Sequence, residues 1–289
     1  MNTLELKGLD GANPLGFLAA MGAFRVAVVS DPGARMGWRI DAASPWPYLV
    51  TALAEEAFAE AVCAEARRIA ADIANFGDIV KTPVETFRAA ARASLSDQGV
   101  AGRPADSDYF AAFASDAVAD EKDGKVTPTL LSFSNGGSGQ NLLKDFRMLS
   151  ARCVPRDVGE AVIKGTHVSQ PLTNLNWDPS ALRSHALRWR DPEKESKDTC
   201  VPVHVLAFLG LAAFPSSPGE RRLSTAGFDY RGRICLWSWS LWPGVAPYAV
   251  ACSLLRATRQ ERPGPGTRRF QSRRLTVNKR PYFLPATAG

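Results

Sequence analysis

A helix that is apolar on every side has to be enclosed, and residues 14 to 30 spell one. Asn13-Pro14 reads as a helix start, with Asn as the N-cap and Pro at the first helical position, where its missing N–H costs nothing. From Leu15 to Val29 the chain runs through Leu, Phe, Ala, Met and Val, with Arg25 as the one charge. A helix with one polar face can lie on a surface, whereas this one predicts a central position with other elements packed around it. Gly16 and Gly22 are places where a second backbone can approach closely. The segment is interrupted by Arg25 and two glycines and falls short of the roughly 18 uncharged apolar residues that span a bilayer. It has no basic region before it and no cleavage site after it, so it is not read as a signal peptide.

Around that helix the periodicity predicts short elements of both kinds. Leu4 to Lys7 alternates as a first strand and Gly37 to Ile40 as a second. Residues 51 to 75 read as an amphipathic helix. Its stripe is Leu53, Ala57, Ala61, Ile69 and Ile73, with Glu55, Glu56, Glu60, Glu65, Arg67 and Arg68 mostly toward solvent. Pro83 to Ser94 is a second helix, residues 96 to 108 a loop, and Asp123-Gly124 a turn within residues 120 to 125. Thr129 to Phe133 reads as a strand, Asn141 to Leu149 as a helix, and Val201 to Phe214 as an apolar helix. Cys235, Trp237, Trp239 and Leu241 alternate with Ile234, Leu236, Ser238 and Ser240, the pattern of a strand with one apolar face. A further helix covers Ala246 to Thr258. The class is α+β: mixed helices and short antiparallel strands, helix-rich in the N-terminal half, with a basic, strand-like C-terminal tail. With 45% hydrophobic and 22% charged residues, a real core is expected. The expected organisation is a globular body over residues 1–255, with a sub-boundary near 96–125, and a basic segment 256–289 docked on it.

Positive charge is concentrated in that segment. Between Arg256 and Gly289 nine basic residues face one acid, Glu261, for 9 − 1 = +8, so with a whole-chain charge of +6 the first 255 residues sum to −2. Such asymmetry points to a polyanion partner. Eight of the nine are Arg, which forks onto phosphate with two parallel hydrogen bonds. The segment can be a solvated, disordered end. Against that, Phe270, Leu275, Val277, Tyr282 and Phe283 interleave with the charges, and Arg274 to Lys279 alternates like a strand.

Other constellations are weaker. Ser134 to Gln140 is a glycine-rich turn, and the backbone N–H groups of Asn135, Gly136, Gly137, Ser138, Gly139 and Gln140 could hold a phosphate, or the turn could be a plain connection. Lys144 and Arg147 follow on the next helix. Trp177 and Trp189 stand among Arg183, Arg188 and Arg190, as nucleic-acid contacts or as stems beneath those arginines. Trp237, Trp239 and Trp242 fit core packing better than a stacking platform. His167, His185 and His204 lack metal-ligand spacing, and no catalytic motif appears, so neither an enzyme nor a cofactor nor a metal is expected. Five widely spaced cysteines argue for reduced thiols and a cytoplasmic location.

The block from Leu9 to Ala23, with its Asn-Pro-x-x-Phe-Leu-Ala-x-x-Gly core, resembles the opening helix of CRISPR-associated proteins of type I-U (also called I-G) systems. Asn176 to Pro179, Ser184 to Arg188, Asp191-Pro192, Ala207 to Pro215, Leu223 to Phe228, Trp239 to Trp242 and Phe270 to Arg274 follow the same order. The resemblance implies the large subunit of the Cascade surveillance complex. Its partners would be crRNA, target double-stranded DNA, the backbone and crRNA-end subunits, and a recruited helicase-nuclease that does the catalysis; no membrane is involved. Joined with the charge pattern, this makes the expected nucleic-acid contacts the glycine-rich turn with Lys144 and Arg147, then Arg183, Arg188, Trp189 and Arg190, and the tail residues Arg268, Arg269, Arg273, Arg274, Lys279 and Arg280. Two rival readings are a crRNA-processing endoribonuclease using His185 or His167, and a structural assembly subunit whose tail docks on acidic proteins.

Overall fold

In the computed structural model, residues 1–95, 104–133, 141–181, 198–219, 222–257, 264–277 and 280–289 are described. Helix α1 (Pro14–Ser30) begins where Asn13 Oδ1 accepts the N–H groups of Leu15 at 2.8 Å and Gly16 at 3.4 Å. It is buried from Pro14 through Val28, as an all-apolar helix must be. Each of the surrounding layers covers part of it.

An antiparallel sheet of order β1-β3-β2-β12 lies on one side, formed by β1 (Asn2–Glu5), β2 (Arg35–Arg39), β3 (Trp46–Thr51) and, from far along the chain, β12 (Val245–Pro247). A helical layer covers another side. It holds α2 (Glu55–Asp72), α3 (Val84–Leu95), α4 (Ser107–Phe113), α5 (Leu142–Arg152) and α6 (Pro155–Val158), which continues as a π-helical turn over Gly159–Lys164. Three two-stranded ribbons link these parts: β4 (Ala114–Ala119) with β5 (Val126–Pro128), β6 (Gln170–Pro171) with β7 (Asp198–Thr199), and β8 (Ser216–Pro218) with β9 (Leu223–Thr225).

Helix α7 (Val201–Gly210), buried along its whole length, packs directly on α1. Glycines set their distance: a Cβ on Gly22 would lie 1.8 Å from the Leu206 carbonyl oxygen, and one on Gly210 would lie 2.0 Å from that of Leu18. Gly22 thus has the close-approach role expected of it, whereas Gly16 fits under the chain's own Asp10.

The second large sheet has the order β10-β11-β13-β14, from β10 (Phe228–Arg231), β11 (Ile234–Leu241), β13 (Arg268–Val277) and β14 (Arg280–Phe283), with β15 (Thr287–Ala288) also paired to β13. Helix α8 (Tyr248–Ala257) precedes β13. Phe17 of α1 joins the layers, with its ring centroid 5.6 Å from that of Trp38 on β2 and 5.5 Å from that of Trp239 on β11. The fold is α+β, as its pattern of elements predicts.

Four local expectations are corrected. Residues 46 to 51 form β3, with Pro47, Leu49 and Thr51 inward, and the helix begins only at Glu55. Its buried side carries Phe58, Ala59, Val62, Cys63, Ala66, Ile69 and Ala70, while Ala57 is exposed; Glu65 is buried because Arg68 pairs with it. The stretch after residue 103 contains α4, a short helix held by buried Tyr109 and Phe113. Thr129 to Phe133 is a turn rather than a strand: the Ser132 N–H donates to the Thr129 carbonyl at 3.0 Å, and the Thr129 hydroxyl hydrogen-bonds Thr225 at 3.2 Å, local bonding that competes with a ladder.

Candidate nucleic-acid interface

Strand alternation gives the C-terminal sheet two unlike faces. Phe228, Trp237, Trp239, Leu241, Phe270, Ser272 and Phe283 are buried on the inner face. Trp237 and Trp239 are fully enclosed, which supports core packing over a stacking surface. On the outer face the register sets Leu236 against Arg273, Ser240 against Arg269, Ile234 against Arg231, and Leu275 against Tyr282. Arg231, Ile234 and Arg273 there are exposed, and Arg269, Gln271, Leu275 and Tyr282 are half-buried. Arg233 is exposed in the hairpin turn after Gly232, whose φ of 62° lies in the left-handed region.

The electrostatic contrast with the rest of the molecule is sharp. Every ion pair among the described residues lies within residues 5 to 164: Arg25 with Asp106 and Asp108, Arg39 with Glu5, Arg68 with Glu65, Asp72 and Asp106, Lys81 with Asp120 and Asp123, Arg88 with Glu85 and Asp116, Arg147 with Asp78, and Lys164 with Glu160. Residues 201–289 hold 13 basic residues and three acids, a charge of 13 − 3 = +10 against −4 for residues 1–200. The one outer-face acid, Asp229, stands two residues from Arg231 on the same face of β10, about 6.8 Å by strand rise, and forms no ion pair among the described residues. Cations that outnumber the one acid on a face repel one another until an anion arrives.

The sequence-predicted tail arginines divide by parity along β13. Arg269 and Arg273 lie on the outer face. Arg268 turns to the body, where Nη1 donates to the Ile40 carbonyl at 2.6 Å and the guanidinium lies 5.4 Å from the Phe270 ring centroid. Arg274 does likewise: Nε donates to the Leu130 carbonyl at 3.0 Å and the guanidinium sits over Phe133, with burial pushing its pKa down. Arg268 and Arg274 are therefore structural props. Arg280 pairs through its backbone with Val277 in β14. Lys279, the turn Asn135 to Gln140, Arg183, Arg188, Trp189 and Arg190 lie outside the described residues.

Elsewhere the expectation for Arg147 is corrected. Arg147 is committed internally, with Nη1 donating to the Gly77 carbonyl at 2.7 Å and Nη2 paired to Asp78. Lys144 is exposed on α5, which packs on α2 and α7 and so stands apart from the arginine face. Trp177 is enclosed, its Nε1–H donating to the Leu131 carbonyl at 2.8 Å. Arg231 and Arg233 joined the site unforeseen; the signal was the alternation Phe228-Asp229-Tyr230-Arg231 before a Gly-Arg turn.

Of the histidines, His204 is buried with Nδ1 3.1 Å from the Cys200 carbonyl, and burial holds its pKa down to about 4. His167 is exposed, and His185 lies outside the described residues. No group of three or more His, Cys, Asp or Glu capable of holding a metal occurs among the described residues. A cavity of ≈ 680 Å³ lies where α2, α3 and α4 meet, lined by Ile69, Ile73, Phe76, Ala90, Tyr109 and Phe110 among others. No described helix is long and apolar enough to cross a membrane. No family model matches the chain, and neither a curated protein nor a solved structure matches it.

Proposed function

We propose that this chain is a non-catalytic nucleic-acid-binding subunit and that the outer face of the C-terminal sheet is where it meets phosphates. The observation that carries the reading is the set Arg231, Arg233, Arg269 and Arg273, with no carboxylate partner among the described residues, while Arg25, Arg39, Arg68, Lys81, Arg88, Arg147 and Lys164 in the first 164 residues are paired. A broad sheet does not enter a duplex groove as a helix or two-stranded ribbon does. It suits a strand of nucleic acid laid across it, with phosphates on the arginines and Tyr282 available to a base. On the resemblance of Leu9 to Ala23 and the later blocks, we assign the subunit to a crRNA-guided type I CRISPR surveillance complex. There it would contribute to PAM-proximal duplex recognition, R-loop formation and helicase-nuclease recruitment.

The test is fluorescence anisotropy with single-stranded RNA and duplex DNA across a salt series. Four neutralised phosphates on a single strand give a log K against log salt slope of about −3, and each Arg→Ala change on the face lowers its magnitude by about 0.7. A slope unchanged in the Arg269→Ala/Arg273→Ala double variant refutes the assignment of the face. Co-purification with a discrete crRNA tests the complex. Ile234, 39% exposed beside Leu236, favours one second reading, an assembly surface for an acidic protein. In that case face variants lose a protein partner while nucleic-acid affinity stays constant.

A further inference from the structure

Helix α2 and the end of α5 bring two thiols together. Cys63 lies on the buried side of α2, and Cys153 caps α5, 90 positions later in the chain. Their sulfurs are 3.5 Å apart and both side chains are enclosed. We propose that Cys63 and Cys153 form a redox modification site, in which hydrogen peroxide oxidises the pair to a reversible disulfide that ties α2 to the α5–α6 junction.

The geometry asks for little movement. A disulfide requires about 2.05 Å between sulfurs, so the pair closes by roughly 1.5 Å. The thiols are enclosed, but the chain beside them reaches solvent: Val154, the next residue after Cys153, is 41% exposed, and exposed Arg67 donates Nη2 to the Cys153 carbonyl at 3.3 Å. Hydrogen bonding from Cys153, opposed by burial and helped by the Arg67 charge, holds the Cys63 thiol below its usual range, whereas the same bond and burial push Cys153 up. The Arg67 charge favours the thiolate of either sulfur, so the two can exchange the attacking and resolving roles; with Cys63 attacking first, Cys153 resolves.

The chemistry balances. The Cys63 thiolate attacks the peroxide oxygen, the O–O bond breaks, and the leaving hydroxide takes a proton to become water, giving a sulfenic acid. The Cys153 sulfur loses its proton and attacks the Cys63 sulfur, displacing hydroxide, which leaves as a second water. Two thiols are oxidised by two electrons and one peroxide is reduced to two waters.

The test uses the full chain and hydrogen peroxide. Non-reducing peptide mapping is expected to find Cys63 joined to Cys153, with titratable thiols falling from five to three and returning with dithiothreitol. Unfolding of the oxidised wild type should shift up by on the order of 5–10 °C, because the cross-link closes a long loop. Cys63→Ser and Cys153→Ser should each abolish both changes. Five thiols still free after peroxide in folded protein, or a disulfide joining other cysteines, overturns the proposal. So does an oxidised wild type no more stable than the reduced form, a readout that requires no variant.

Discussion

Replacing Gly22 by Ala tests the central packing directly. On an exposed helix that change stabilises by about 1 kcal/mol, since Ala is the better helix former. At Gly22 the new methyl would lie 1.8 Å from the Leu206 carbonyl oxygen, where an ordinary contact needs about 3.4 Å. Either α7 withdraws by about 1.5 Å or α1 deforms. Withdrawal opens space between two helices whose facing residues are fully buried, Leu18 and Met21 on one and Leu206 and Leu209 on the other. Overpacking of a closed core costs about 1–3 kcal/mol and sometimes more, so the net expectation is a loss of about 2 kcal/mol or more. In a chain of this size that lowers Tm by roughly 4 °C or more. The control is Gly159→Ala: Gly159 has φ −57° and ψ −49°, with nothing within 4 Å of an added Cβ, and it should gain about 0.4–1 kcal/mol. Paired thermal and urea unfolding measure both. A Gly22→Ala protein as stable as the parent would show that the α1–α7 contact is looser than described and remove the reason for Gly at position 22.

Three further outcomes are expected. Arg25→Met should lose about 2–3 kcal/mol by urea titration, because the Ala105 carbonyl loses its 2.9 Å donor and Asp108 its 3.2 Å partner; Asp108 is part-exposed, which keeps the loss below that of a fully buried pair. His204 is neutral when folded, with a pKa near 4 against about 6.5 unfolded, so the unfolded chain takes up a proton first and stability falls as pH drops from about 6.5 to 4, by up to about 2–3 kcal/mol. His204→Gln should flatten that part of the pH–stability curve, and an unaltered slope would contradict the burial. Arg273→Ala and Arg274→Ala should part company, the first reducing the salt slope of nucleic-acid binding at unchanged Tm, the second lowering Tm at unchanged slope; the same phenotype for both would contradict the two-faced sheet.

The elements readable from sequence were those whose side chains answer to one simple environment. Helix α1 is apolar all round because every side is covered, and β11 alternates because only one face is. Others answer to particular partners. Residues 129 to 133 look like a strand, yet Leu131 and Phe133 are buried from a turn held by the Thr129 and Thr225 hydroxyls, a pairing 96 residues apart. Strand β3 stops three residues before α2, and only its last residue, Thr51, fell within the helix expected over 51 to 75. The arginine face shows the same limit: a run such as Arg268-Arg269 reads as one block of charge, but β-pairing with β11 sends one inward to Ile40 and the other outward. Which parity faces solvent follows from the inner wall of tryptophans, and that wall is assembled from elements more than 200 positions apart, as in the Trp239 bond to the Gly11 carbonyl.

The position of β13 between β11 and β14 also governs how the molecule can be made. Strand β11 leaves the ribosome well before residues 268–277, and until then one of its edges is open and Trp237 and Trp239 lack part of their cover. Closing that sheet requires pairing over a long sequence interval, which is slow and exposes apolar surface meanwhile. The arginines of β13 serve a second purpose in this interval: charge on an unpaired strand discourages it from adding to the edge of another molecule. A chain terminated before Arg268 would present that open edge permanently and should aggregate or be retained by chaperones.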